Sequence, residues 1–206
     1  MTRLQFGQQD VEVLEQTTEY DGFFKMVKYR LRHKLFAGGW SGEMDRLLFE
    51  RGTAVALLPY DPIRDEVVLV EQFRIGAHVA GCAPWQLELV AGMVEEGESA
   101  EDVALREAQE EAGLAVSTTE FVTRYLSSSG GCSETLAVLA GQVDSSVAGG
   151  LHGLAEEHED IRVHVVSRAQ AYEWVVSGKI ENAASIIALQ WLQLNYSRLQ
   201  AQWNGD

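Results

Sequence analysis

The sequence predicts an α/β chain of the α+β kind: a small N-terminal β domain over residues 1–50, then a sheet with helices on both faces over residues 51–206. Three observations predict it. Strand-like runs crowd the first half, one well-punctuated helix interrupts them near residue 100, and two further helical segments end the chain after more strands. A sheet of this kind must bury its apolar faces, and helices before and after its later strands can cover both.

The N-terminal domain is read from residues 23 to 36, which alternate basic and apolar from Val27 to Leu35, a strand's period of two. Lys28, Arg30, Arg32 and Lys34 therefore share one face, which could meet an acidic partner subunit, a phosphate or water. Gly38-Gly39 marks a turn, and a second strand-like run, Arg46–Arg51, ends at Gly52. Beyond it, Thr53–Tyr60 and Val67–Arg74 flank a turn at Asp61-Pro62, as two core strands of a hairpin would. Later strands are expected at Phe121–Leu126, Glu134–Val143 and Ile161–Val166. Helices are expected from Arg168, after Ser167, to Gly178, and from Ala183, after Asn182, almost to the end.

Composition narrows the function. With 16 basic and 31 acidic residues, the net charge of −15 argues against non-specific nucleic-acid binding, which needs a basic surface. An anionic substrate would need arginines or bound cations to reverse the local sign. No apolar stretch approaches the ~20 residues that span a bilayer, and the first residues carry no apolar leader core, so a cytoplasmic protein is expected. The two cysteines, Cys82 and Cys132, are expected to be reduced.

The most informative stretch runs from Gly92 to Leu114. Ser99 is a good N-cap, Glu101 and Asp102 suit the positive helix end, and Gly113 can adopt the left-handed stop, which places a helix over Ala100–Ala112. At about 100° per residue, Leu105, Ala108 and Ala112 fall on an apolar side and Glu107, Glu110 and Glu111 on another. Like charges so spaced weaken an isolated helix, so folding alone does not explain the patch. Hard oxygen ligands suit Mg²⁺, and no Cys or His cluster accompanies the glutamates to suggest zinc.

Gly92, Glu98, Arg106, Glu107, Glu110, Glu111 and Gly113, with aliphatic positions between, match the box of the Nudix hydrolase family; Ala108 is small where the family often has a larger aliphatic. A chance match is on the order of one in a million at average residue usage. The resemblance extends to bacterial ADP-ribose pyrophosphatases of that family through Phe49–Gly52, Val70–Arg74, Leu87–Met93, Gly153–Val163 and Asn182–Ser185.

That resemblance implies a Nudix fold, a mixed sheet in an α/β/α sandwich, and Mg²⁺-dependent hydrolysis of ADP-ribose to AMP and ribose 5-phosphate, with Mn²⁺ as a substitute. It implies the Ala91 carbonyl, Glu107 and Glu111 as metal ligands, Glu110 and Glu98 as supporting acids, and Arg106 as the group orienting a carboxylate. Glu157 is implied as the base and Glu159 as its helper. Arg46 and Arg74 are implied to hold phosphates or ribose, and Glu134 the terminal ribose. Phe23 or Phe24 would stack on adenine, with core or interface packing as the competing reading. A homodimer that exchanges the N-terminal domain is implied as well. Ser129 stands where these enzymes typically have a proline, a departure bearing on substrate choice. Hydrolysis of another nucleotide sugar, or ADP-ribose binding without cleavage, are the alternatives.

Overall fold

The computed structural model describes residues 4–154 and 158–203, in two compact units. The first runs to Gly52 and also takes in Leu126–Glu134. Its core is an antiparallel sheet of β1 (Val11–Asp21), β2 (Lys25–His33) and β3 (Met44–Glu50), in that order. The sequence pattern misses β1 because its residues are almost all exposed, which leaves no apolar alternation to read. The segment before Glu134 joins the same unit: the Phe49 N–H donates to Gly131 O at 2.8 Å and the Ser133 N–H to Phe49 O at 3.1 Å.

The expected basic face of β2 exists, but the chain supplies the acids itself. Lys28 pairs with Asp45 at 2.9 Å, Arg30 with Glu43 at 2.5 Å and Arg32 with Glu12 at 2.7 Å. Arg32 and Lys34 lie over the Trp40 ring at 5.0 and 4.3 Å.

The second unit holds β4 (Thr53–Asp61), β5 (Glu66–Phe73), α1 (Ile75–Ala80), β6 (Trp85–Glu88), β7 (Val90–Val94), α2 (Ala100–Ala112), β8 (Thr118–Leu126), β9 (Thr135–Gln142), β10 (Gly150–His152), β11 (Ile161–Ser167), α3 (Arg168–Val176) and α4 (Ala183–Trp203). Its sheet runs β10-β11-β5-β4-β9-β8, with β6 on β5 and β7 on β4. β4 and β9 are parallel and the other strand pairs antiparallel, the mixed sheet expected.

Period-two alternation sorts β4 and β5 between two cores. Val55, Leu57, Val68 and Val70 pack with Val103, Ala104, Ala108 and Ala112 of α2. Ala56, Leu58, Tyr60, Val67 and Leu69 pack with Ala171 and Ile180, and with Ala188, Leu189, Leu192 and Leu199 of α4. Because both faces are covered, these strands read as nearly unbroken apolar runs. The pattern gave no warning of β6, β7 and β10, of three to five residues each, or of the six-residue α1.

Helix punctuation works as expected. Ser99 Oγ accepts the Asp102 N–H at 3.1 Å, and Gly113 sits at φ +64° while the Leu114 N–H donates to Ala108 O at 3.0 Å. At α3 and α4 the caps are Ser167, accepting the Gln170 N–H at 3.2 Å, and Asn182, accepting the Ser185 N–H at 2.9 Å. The β4–β5 turn is set by Asp61, whose Oδ1 accepts the N–H groups of Ile63 at 2.9 Å and Arg64 at 3.0 Å. Both cysteines are free thiols.

Candidate active site

α2 is amphipathic, with Ala108 and Ala112 buried as expected, but Leu105 and Glu111 depart from the expected faces. Leu105 borders the buried stripe on its Ala112 side and is exposed, while the core face is Val103, Ala104, Ala108, Glu111 and Ala112. Glu111 does not project into solvent with its neighbours. It follows Ala108 by three residues and Ala104 by seven, so helical geometry turns it inward, and it is only 5% exposed.

There the Glu111 carboxylate accepts the Ala91 N–H at 3.1 Å. Burial, followed by the negative charges of Glu107 and Glu159, pushes its carboxyl up to about 8, against the opposing pull of the Ala91 N–H and the Arg74 charge. Glu107, half-buried one turn earlier, lies on the backbone of Gly92: a Cβ there would come within 2.6 Å of Glu107 Cγ and Cδ. A glycine is what lets the helix and β7 approach so closely.

Arg106 reaches three carboxylates, Glu107 at 3.3 Å, Glu110 at 3.8 Å and Glu98 at 3.9 Å. Glu98 is also tied to its own loop, accepting the Glu95 N–H at 2.9 Å. Glu159 is placed by its N–H, which donates to Leu154 O at 3.2 Å. Glu157 lies outside the described residues.

Arg74 follows β5, where its N–H donates to Pro84 O at 2.7 Å and its Nε to Glu88 Oε2 at 2.8 Å. Two further side chains on this face of the sheet lie within the Val70–Arg74 and Leu87–Met93 segments but are not among the expected site residues. Glu88 lies in the unforeseen strand β6, and Gln72 is buried with an amide nitrogen that has no partner among the described residues.

The remaining candidates lie in the N-terminal unit. Phe23 is 90% exposed and stands edge-on to Phe24, with ring centroids 4.6 Å apart. Phe24 is edge-on to Phe49 at 5.1 Å and under the Arg51 guanidinium at 5.1 Å. Glu134 is buried, accepts the Ser127 hydroxyl and pairs with Arg51 at 3.2 Å. Arg51 is not among the site residues the sequence implies, although it lies within the Phe49–Gly52 segment. Arg46 is exposed and donates to Asp45 O at 2.9 Å.

Among the described residues no three acidic, His or Cys side chains converge on a single metal position. The donor set nevertheless fits a hard divalent cation: its side-chain donors are carboxylate oxygens, and Glu111 is a buried carboxyl whose ionised form burial disfavours and a cation would stabilise.

The chain matches the NUDIX domain over residues 50–189. It is 59% identical over 198 residues to the ADP-ribose pyrophosphatase of Escherichia coli (strain K12), covering 96% of this chain and 95% of that protein. To the ADP-ribose pyrophosphatase of Haemophilus influenzae it is 53% identical over 201 residues, covering 96% and 93%. To the GDP-mannose pyrophosphatase of Pectobacterium atrosepticum it is 30% identical over 181 residues, covering 87% and 92%. In fold it resembles a solved ADP compounds hydrolase at a TM-score of 0.70 and 19% identity, over 96% of this chain and 98% of that one. With α2 and its glutamates lying inside the matched region, this chain belongs to the Nudix family.

Proposed function

We propose that this protein is an ADP-ribose pyrophosphatase, hydrolysing ADP-ribose with water to AMP and ribose 5-phosphate. The observation that carries the reading is the gathering of Glu107, Glu110, Glu111 and Arg106 on α2 against Ala91-Gly92 of β7. The near full-length likeness to two ADP-ribose pyrophosphatases supplies the substrate.

A diphosphate is anionic and resists attack by water until its oxygens are neutralised. Glu107, Glu111 and the Ala91 carbonyl would hold Mg²⁺, or Mn²⁺ in its place, with Glu110 and Glu98 in support. When bound, the cation supplies charge neutralisation and a more acidic water. Arg106 keeps the like-charged glutamates together through its ion pairs. Arg74 contributes positive charge to the diphosphate. Glu157 accepts the proton of the attacking water, assisted by Glu159. Attack at the adenosyl phosphorus sends the water oxygen to AMP, so hydrolysis in ¹⁸O-water places the label on AMP. Arg46, Glu134 and Phe23 or Phe24 serve ribose and adenine recognition.

The working unit is a homodimer in the cytoplasm. The N-terminal sheet supports the dimer: it leaves Val13, Tyr20 and Leu47 exposed, as is Phe23 in the β1–β2 connection, and Val27 is its one buried apolar side chain among the described residues. A three-stranded sheet with so little core needs cover from elsewhere. Among the described residues, no helix is long and apolar enough to cross a membrane.

Incubation with Mg²⁺ and a panel of ADP-ribose, GDP-mannose and diadenosine compounds tests the substrate. AMP and ribose 5-phosphate should form fastest from ADP-ribose. Preferential cleavage of GDP-mannose would favour the likeness to the GDP-mannose pyrophosphatase, and binding of ADP-ribose with no product would make the chain a sensor.

A further inference from the structure

We infer that Glu88 is a positioning residue for Arg74, fixing its guanidinium so that both terminal nitrogens are presented to the substrate diphosphate. The inference rests on the reading of Arg74 as a diphosphate contact. Glu88 lies opposite Val70 in the β5–β6 register, and Gln86 lies opposite Gln72. The Arg74 N–H meets Pro84 O still further along the pair. The Arg74–Glu88 bond is therefore diagonal, reaching back past the Gln72–Gln86 pair toward residues covered by α2. An arginine drawn this way lies along the sheet, whereas a free one would extend into solvent.

The chemistry of the bond points the same way. Glu88 takes the Nε–H, at 2.8 Å, and among the described residues no hydrogen bond is made by Nη1 or Nη2. The end-on Nη pair is one of the two faces that a guanidinium offers to paired oxygens. Exposure divides accordingly: the Glu88 side chain is 14% exposed and that of Arg74 44%. Glu88 is the sheltered anchor and Arg74 the accessible group. Its carboxylate is placed to limit rotation of a long side chain without occupying the nitrogens that a phosphate would use.

The test is a double-mutant cycle on ADP-ribose hydrolysis at saturating Mg²⁺, with kcat, KM and melting temperature measured for Arg74→Ala, Glu88→Ala, Glu88→Gln and the R74A/E88A pair. R74A should raise KM. E88A should lower kcat/KM by about ten-fold with the same division between KM and kcat, and E88Q, which keeps an acceptor oxygen, should recover most of the loss. In the R74A background, removing Glu88 should cost nothing further. An impaired R74A beside a normal E88A, or losses that multiply in the pair, would overturn the inference while leaving the Arg74 reading intact. Wild-type constants for R74A would remove that reading and the inference with it. If E88A does not fold, E88Q in both backgrounds decides the same question.

Discussion

Among single residues, Glu111 combines burial, a hydrogen bond accepted from the Ala91 N–H and two acidic neighbours. Glu111→Gln keeps the volume and removes the charge, so it should fold and lose more than the roughly 100-fold that loss of an outer partner of a metal ligand costs. Near-normal turnover would refute its assignment as a ligand. The same residue gives a pH signature in chelator. Its folded value of about 8 lies above the ordinary 4.5, so its contribution to stability is intact below 4.5 and lost as pH rises toward 8. Thermal melts should therefore show the wild type losing ground to Glu111→Gln across that range. Gly92 acts by what it lacks. Gly92→Ala places a methyl against Glu107 Cγ and Cδ, and the flexible side chain can give way, so the fold should survive while activity falls at least about ten-fold. Circular dichroism beside a turnover assay separates the two effects.

Among the elements, α2 and the β4–β5 turn show how local chemistry builds a platform. The helix starts at Ser99 and stops at Gly113, so its glutamates stand at fixed heights over β7. Asp61 closes the hairpin and also ties in the later chain, because its Oδ2 accepts the Ser145 N–H at 2.9 Å and the Ser145 hydroxyl at 3.0 Å. Burial alone would raise its carboxyl, but the donated hydrogen bonds of Ser145, Arg64 and Ile63 outweigh it and hold the value below the ordinary 3.8. The stabilisation is thus present above 3.8 and lost as pH falls through the lower folded value. Asp61→Asn should cost about 2 kcal/mol at neutral pH. Urea melts should show that difference shrinking below pH 3.8, and a pH-independent difference would contradict the assignment.

For the whole molecule, the N-terminal sheet predicts assembly: light scattering should report two chains per particle, and Phe23→Asp with Leu47→Asp should lower that number if those exposed apolar groups are covered by a second copy. A monomer at all concentrations would leave the apolar face unexplained and remove the dimer. The sequence by itself determined the Nudix box, the caps at Ser99 and Gly113, the helices that end the chain and the strands buried on both faces, because each is written in local period or punctuation. Elements with little burial or length left no such mark, as β1, β6 and α1 show. Only the tertiary structure decided that Leu105 faces out and Glu111 in, since a helix's buried side is chosen by the sheet it meets. It also paired the basic face of β2 with the chain's own acids and set Glu88 against Arg74. Side chains far apart in sequence are brought together by register, and no local pattern encodes register between distant strands.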